Sequence, residues 1–255
     1  MRFAQSENIV YPHAFSTRIG GFSTLDYTAG LNLVYGRGDG AVTVDKNRAL
    51  FSRVTGISFD SLVEASQVHS ARVVTVGDEL PPPDIEADGF VTNRAGVTLC
   101  IKTADCAPVL MCDPLAGVIG ACHAGWRGTV AGICANTVEA MCALGAKKEN
   151  IRVAIGACIH PCCYEVGGDF YSEVTKARGE DFAARHIKAR GESIYADIVG
   201  MNLELLECAG IKRENICADP HCTCCEPDVY FSHRASGGRR GTMAAIISKD
   251  LENEK

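Results

Sequence analysis

Between residues 62 and 123 the chain repeats one pattern, short runs rich in Val, Ile and Leu cut by Gly, Pro and Asp. The runs LVEASQVH, RVVTV, DGFVT, GVTLCIKT, PVLMCD and GVIGACHA predict successive β-strands. Branched apolar side chains fit a pleated, buried surface, and the residues between them favour turns. Elsewhere the period becomes helical. Val44, Leu50, Phe51 and Val54 fall near one face of a helix expected over residues 42–54, with Gly56 as its stop. A second helix is expected over residues 129–144, stopped at Gly145 and followed by a strand RVAIGA from Arg152. Strand, helix, strand in that order suits a crossover unit. Further helices are expected near residues 169–177 and over residues 197–208, the latter ending at Gly210, with a last strand at TMAAIIS. The beginning of the chain adds a strand near residues 13–17, a glycine-rich loop RIGGFSTLDYTAG and a short apolar stretch LNLV.

These elements predict an α+β fold, with a central, largely β core covered by helices. No GxGxxG or GxxxxGK[ST] pattern follows a strand, so neither a dinucleotide fold nor a P-loop is supported. With 255 residues, 47% of them hydrophobic, the chain can bury a large core. No linker, repeat or low-complexity tract divides it, so residues 1–255 read as a single domain.

The net charge of −6 argues against binding to a nucleic-acid backbone, which needs an extended basic face. An anionic substrate must then be met by local arginines. The run RASGGRR reads as a solvated loop or as the source of one arginine for a pocket. The N-terminal MRFAQSENIVYPHAF lacks the pattern of a signal peptide, and no segment is long enough to span a bilayer, so a cytoplasmic protein is expected. Fourteen cysteines in a chain of this size read as reduced thiols rather than a disulfide scaffold. Cys100, Cys112, Cys122, Cys134 and Cys142 sit in apolar runs, where cysteine packs as a small hydrophobe.

Three residues stand apart by context: His69 in QVHS, Cys106 in TADC and His123 in HAGWRG. Their wide spacing is unlike a zinc finger, whose ligands come in close pairs. As ligands of one zinc they leave a fourth coordination position open, the mark of a catalytic rather than a structural site. All three are expected at the ends of strands.

The blocks QVHS, EADGFVT, TLCIKTADCAPVLMCDP, GVIGACHAGWRGTVAGI, CCYEVG and FSHR followed by GRRGTMAAI carry a further likeness. With FSTRIGGFS, GLNL and DKNR upstream, they resemble the laccase-domain family over nearly the whole chain. Its bacterial members were once described as polyphenol oxidases and are now understood as zinc-containing purine nucleoside phosphorylases. The resemblance implies Zn2+ bound by His69, Cys106 and His123. It also implies phosphate cleavage of adenosine, inosine, guanosine or methylthioadenosine, some adenosine deamination, and a fold of layered, mixed β-sheets flanked by helices, similar to that of toxin deamidases. Two departures from the family pattern are Ser70, where glycine is usual, and His160 in GACIHPCCYEVG.

Within that reading Arg127 either orients phosphate by paired hydrogen bonds or ties down its own turn. Arg48 and Asn47 are either substrate-binding residues or a helix-face pair. Asp105 either orients a ligand histidine or accepts a proton, or else caps the strand end. Glu86 and Asp88 in EADG read as turn-forming. His221, Cys222, Cys224 and Cys225 form a cluster without a distant CxxC partner, and Cys162 and Cys163 belong to the family pattern; neither group is taken as a metal site. The seven histidines include no HxH pair, which argues against a multicopper oxidase. Two alternatives stay open: a hydrolase or deamidase using Cys106 as nucleophile with His69 or His123 as base, and a non-catalytic protein that binds zinc or nucleosides. The sequence leaves the oligomeric state undetermined.

Overall fold

The most apolar runs become seven-residue strands that are buried from end to end, because both of their faces are covered. The computed structural model describes residues 1–249; residues 250–255 of the expected span lie outside the described residues. Chain order begins with β1 (Phe3–Ala4), β2 (His13–Ser16), α1 (Ala41–Thr55), β3 (Leu62–Val63), β4 (Val73–Thr75) and β5 (Gly89–Thr92). Then come β6 (Val97–Thr103), β7 (Ala107–Asp113), β8 (Val118–Ala124), α2 (Trp126–Ala131), α3 (Ile133–Ala143) and β9 (Arg152–Ile155). The last part holds β10 (Glu165–Val166), α4 (Gly168–Arg178), α5 (Glu180–His186), β11 (Ile187–Arg190), β12 (Ser193–Ala196), α6 (Ile198–Cys208), β13 (Ile216–Ala218) and β14 (Met243–Lys249).

Two sheets lie face to face, one in the order β1-β2-β14-β6-β3 and the other β13-β9-β7-β8-β5-β4. Successive side chains of a strand point to opposite faces, and the burial follows that period. Leu99 and Ile101 of β6 and Ala245 and Ile247 of β14 meet Leu110 and Cys112 of β7 and Ile119 and Ala121 of β8 between the sheets. The intervening residues point outward. Cys100, Ala244 and Ile246 pack with Phe51 of α1, while Val109, Met111, Val118 and Cys122 pack with residues of α3 and α6. The layers are therefore helix, sheet, sheet, helix, the α+β architecture that the sequence predicts. With both faces covered, the central strands lose the apolar/polar alternation of a half-exposed strand and read as continuous runs. β7 pairs antiparallel with both β8 and β9, so β8 and β9 run parallel and the α2–α3 segment crosses over β7.

Three expectations need correction. Val54 lies in the last turn of α1, beside the Gly56 stop, and is 46% exposed; the buried face is Val44, Asn47 and Phe51. The single helix expected over residues 129–144 is two, α2 and α3, broken at Gly132, whose φ of 92° is left-handed. The charged stretch over α5, β11 and β12 was not legible as elements, because β11 exposes three of its four residues and so carries no apolar period. Among the described residues, no helix is long and apolar enough to cross a membrane.

Candidate metal centre

His69, Cys106 and His123 converge, with one donor atom from each lying within 4.8 Å of the others. They arrive by different routes. His123 lies in β8 opposite Pro108 of β7. Cys106 lies in the β6–β7 turn, immediately before β7, and His69 in the loop between β3 and β4. The expectation that all three come from strand ends therefore fails for His69. The β3 ladder is only two residues long and ends well before it, so something other than a sheet must hold this histidine.

Asp88 does so. Its carboxylate accepts from the backbone N–H groups of Val68 at 3.2 Å, His69 at 3.1 Å and Ser70 at 2.7 Å, and from Ser70 Oγ at 2.8 Å. These bonds hold His69 at φ 60°, one of two positive-φ residues other than glycine among the described residues. Asp88 Oδ1 also pairs with His123 Nδ1 at 2.8 Å, leaving Nε2 as that ring's metal donor. A single carboxylate with no exposed surface thus shapes the loop of one ligand and fixes the ring of another. The sequence reading took Asp88 for a turn residue and offered Asp105 for the orienting role. Asp105, the second positive-φ residue, instead accepts from Thr223 Oγ1 at 2.6 Å and Arg234 N at 2.7 Å. Ser70, one of the departures from the family pattern, supplies two of the donors to Asp88.

The glycine of HAGWRG has a reason in the same geometry. A Cβ at Gly125 would run into His69 Nδ1 and stand 3.3 Å from Cys106 Sγ, so only a bare backbone passes beneath the ligands.

Burial acts against charge on His123, yet its hydrogen bonds to Asp88 and Cys106 outweigh that and hold its pKa up at about 9. Burial pushes the Asp88 carboxyl upward, while hydrogen bonds from His123 and Ser70 hold it down at about 2. His69 moves the other way: burial, then the charge of His123, lower its pKa and favour the neutral imidazole that binds metals. A metal at His123 Nε2 displaces a proton, which couples uptake to pH. Two imidazoles and a thiolate, one imidazole backed by a carboxylate, form a donor set suited to a borderline-soft ion such as zinc.

Two hollows of about 260 and 300 Å³ open on the trio and share His69, Ala104, Cys106 and Arg240. One is walled by Trp126, Ile159, Tyr164 and Ile198. The other presents Arg37, Lys102 and Gln67. Arg240, from the run read as a solvated loop or the source of one pocket arginine, donates to Gly241 O at 3.1 Å and Thr242 Oγ1 at 2.8 Å and leaves a buried Nε without a partner. No spacing pattern marked it. Arg127 is exposed and stacks on Trp126, its guanidinium carbon 4.3 Å from the ring centroid. Arg48 donates to Leu33 O at 2.9 Å, pairs with Glu64 at 2.9 Å and stacks on Tyr35. Asn47 is fully buried, donating to Ser23 Oγ and Asn32 O and accepting from Phe22 N. Neither residue lines the two hollows. Glu86 is exposed.

A four-layer α+β fold with a carboxylate-steadied His-Cys-His centre between two hollows defines the class to which this chain belongs. The sequence pattern of the family described as multi-copper polyphenol oxidoreductase laccase matches residues 12–250, and the chain is a member of that family. It is 41% identical over 244 residues to a protein of Deinococcus radiodurans named purine nucleoside phosphorylase, covering 95% of this chain and 91% of the relative. It is 34% identical over 247 residues to adenosine deaminase RL5 of an unknown prokaryotic organism, covering 92% of this chain and 94% of the relative. The crystal structure of the Bacillus licheniformis hypothetical protein YfiH superposes with a TM-score of 0.86 at 29% identity, over 92% of this chain and 91% of that one.

Proposed function

We propose that this protein is a zinc-dependent purine nucleoside phosphorylase. It cleaves adenosine, inosine, guanosine or S-methyl-5'-thioadenosine with phosphate to the free base and ribose-1-phosphate or its methylthio analogue, with adenosine deamination as a side activity. The observation that carries this reading is the three-donor centre set between an aromatic hollow and a basic one. The relatives named as purine nucleoside phosphorylase and adenosine deaminase support it.

In this reading the purine stacks in the hollow of Trp126 and Tyr164, and phosphate occupies the basic hollow. Arg240, which lines that hollow, meets the phosphate there; Arg127, stacked on Trp126 of the aromatic wall, adds a second cation. A phosphate oxygen attacks C1' of the ribose, and the electrons of the C1'–N9 bond leave with the purine, which then takes up a proton. His69, Cys106 and His123 would hold the zinc, which would supply a Lewis acid for an oxygen of phosphate or of water. Arg48 stacks on Tyr35, which lines the basic hollow, and Asn47 ties together the loops of Ser23 and Asn32.

The test is chromatography of zinc-loaded protein with adenosine, with and without phosphate, beside Cys106→Ala. Adenine released only with phosphate, and at least about 100-fold more slowly by the variant, is the expected result. A second reading rests on the array Cys106, His123, Asp88, which resembles a nucleophile, base and orienting carboxylate. Activity that survives removal of metal and disappears on alkylation of Cys106 would favour it.

A further inference from the structure

Two cysteine-bearing loops far apart in sequence lie side by side. Cys162 and Cys163 follow β9, and Cys222 and Cys225 follow β13. The parallel pairing of β9 with β13 brings the loops together, and a bridge between Cys158 and Cys222 extends it, with Thr223 N donating to Cys158 O at 2.9 Å. All four sulfurs lie within 4.8 Å of one another. Cys225 Sγ is 3.4 Å from that of Cys162 and 3.3 Å from that of Cys163. Sulfurs bound tetrahedrally at about 2.3 Å from zinc stand about 3.8 Å apart, a spacing inside the observed range. In the sequence the second group lacks a distant CxxC partner and the first reads as part of the family pattern; in the fold each is the partner of the other.

We propose that Cys162, Cys163, Cys222 and Cys225 bind a second Zn2+ as a closed tetrathiolate site. Four protein ligands leave no open position, so the ion is structural. An all-sulfur set selects a thiophilic ion over magnesium or calcium. The excess negative charge is met by backbone amides: His160 N donates to Cys222 Sγ at 3.4 Å, and the amides of Cys224 and Cys225 bond the same sulfur. His221 is outside the set, its Nδ1 engaged by Glu226 at 2.7 Å. Cys224 packs against the apolar cluster instead.

The position gives this ion a purpose. The loop carrying Cys162 and Cys163 also carries Ile159 and Tyr164, which wall the aromatic hollow. Thr223, next to Cys222, holds Asp105, and Arg234 ties Asp105 to Cys163 O at 3.0 Å and Glu165 O at 2.8 Å. Stapling the two loops fixes the wall of the site at His69, Cys106 and His123. The proposal does not require the reaction assigned there, and its test reads metal and thiols rather than turnover.

The experiment counts zinc in the full chain, purified with reductant, by native mass spectrometry. Two ions per chain are expected in the wild type, one in Cys162→Ser/Cys225→Ser and one in Cys106→Ala. Loaded with Co2+, Cys106→Ala keeps the intense sulfur-to-cobalt charge-transfer band of a tetrathiolate, and the double serine variant loses it. A wild type with one zinc, unchanged in the double variant, overturns the proposal. So does a non-reduced intact mass lower by two hydrogens that maps to a disulfide among the four. If the double variant fails to fold, chelation of Cys106→Ala decides: four thiols become newly reactive as its zinc leaves, whereas no gain in reactive thiols overturns the site.

Discussion

Asp88 carries more of the candidate site than any single ligand does. It accepts four hydrogen bonds from residues 68–70 and one from His123, so one carboxylate couples the His69 loop to the ring of His123. Replacing Asp88 by asparagine puts an NH2 group among N–H donors and weakens the hold on the His69 loop and the His123 ring. Zinc affinity, read by competition with a chelator, is expected to fall about 10–100-fold; unchanged affinity would remove Asp88 from the account. The same bonds set a pH dependence. The folded-state carboxyl is held at about 2 against an ordinary value of 3.8, so its stabilisation is complete above the ordinary value and is lost as pH falls through about 2. The loss amounts to about 2 kcal/mol. In urea titrations of metal-stripped protein, the gap between wild type and Asp88→Asn should therefore narrow between pH 4 and 2. The candidate ligands stood out because each sits in a distinctive motif, and the fold brings their donor atoms together. Asp88 did not, because a carboxylate before glycine looks like any turn, and its partners lie about twenty positions upstream and thirty-five downstream.

At the scale of elements, legibility followed burial. β6, β7, β8 and β14 were readable as strands because sheets or helices cover both faces and leave uninterrupted apolar runs. The stretch of β11 and β12 was not, since β11 exposes three of its four residues and the two strands are held largely by pairing with each other. The helix break at Gly132 hid inside an apolar period that runs on through it. Its φ of 92° makes the position unfavourable for any side chain, and the nearest obstacle to a Cβ is the flexible Arg178 side chain at 3.0 Å. Gly132→Ala is accordingly expected to lower unfolding stability by about 1 kcal/mol through backbone strain alone, without loss of bound metal. A neutral substitution in a denaturant titration would mean that α2 and α3 can join. The cysteine loops make the complementary point: spacing along the chain could not reveal a set of ligands that only the β9–β13 pairing assembles.

Across the whole molecule, the layering separates stability from chemistry. The space between the two sheets is filled by side chains such as Leu99, Leu110, Ile119 and Ile247, all without exposed surface, whereas the trio lies where the β6–β7 turn, the end of β8 and the His69 loop meet. Leu110→Ala should cost about 2–5 kcal/mol of stability while leaving the metal content of the folded fraction unchanged; loss of metal from folded protein would contradict that separation. The central claim is that this centre transfers a purine nucleoside's ribose to phosphate. Phosphorus NMR of the zinc-loaded protein with adenosine and inorganic phosphate tests it most directly. The account predicts a ribose-1-phosphate signal growing in step with released adenine, and its absence with Cys106→Ala. Adenosine consumed with inorganic phosphate untouched, as inosine or as free ribose and base, would contradict it.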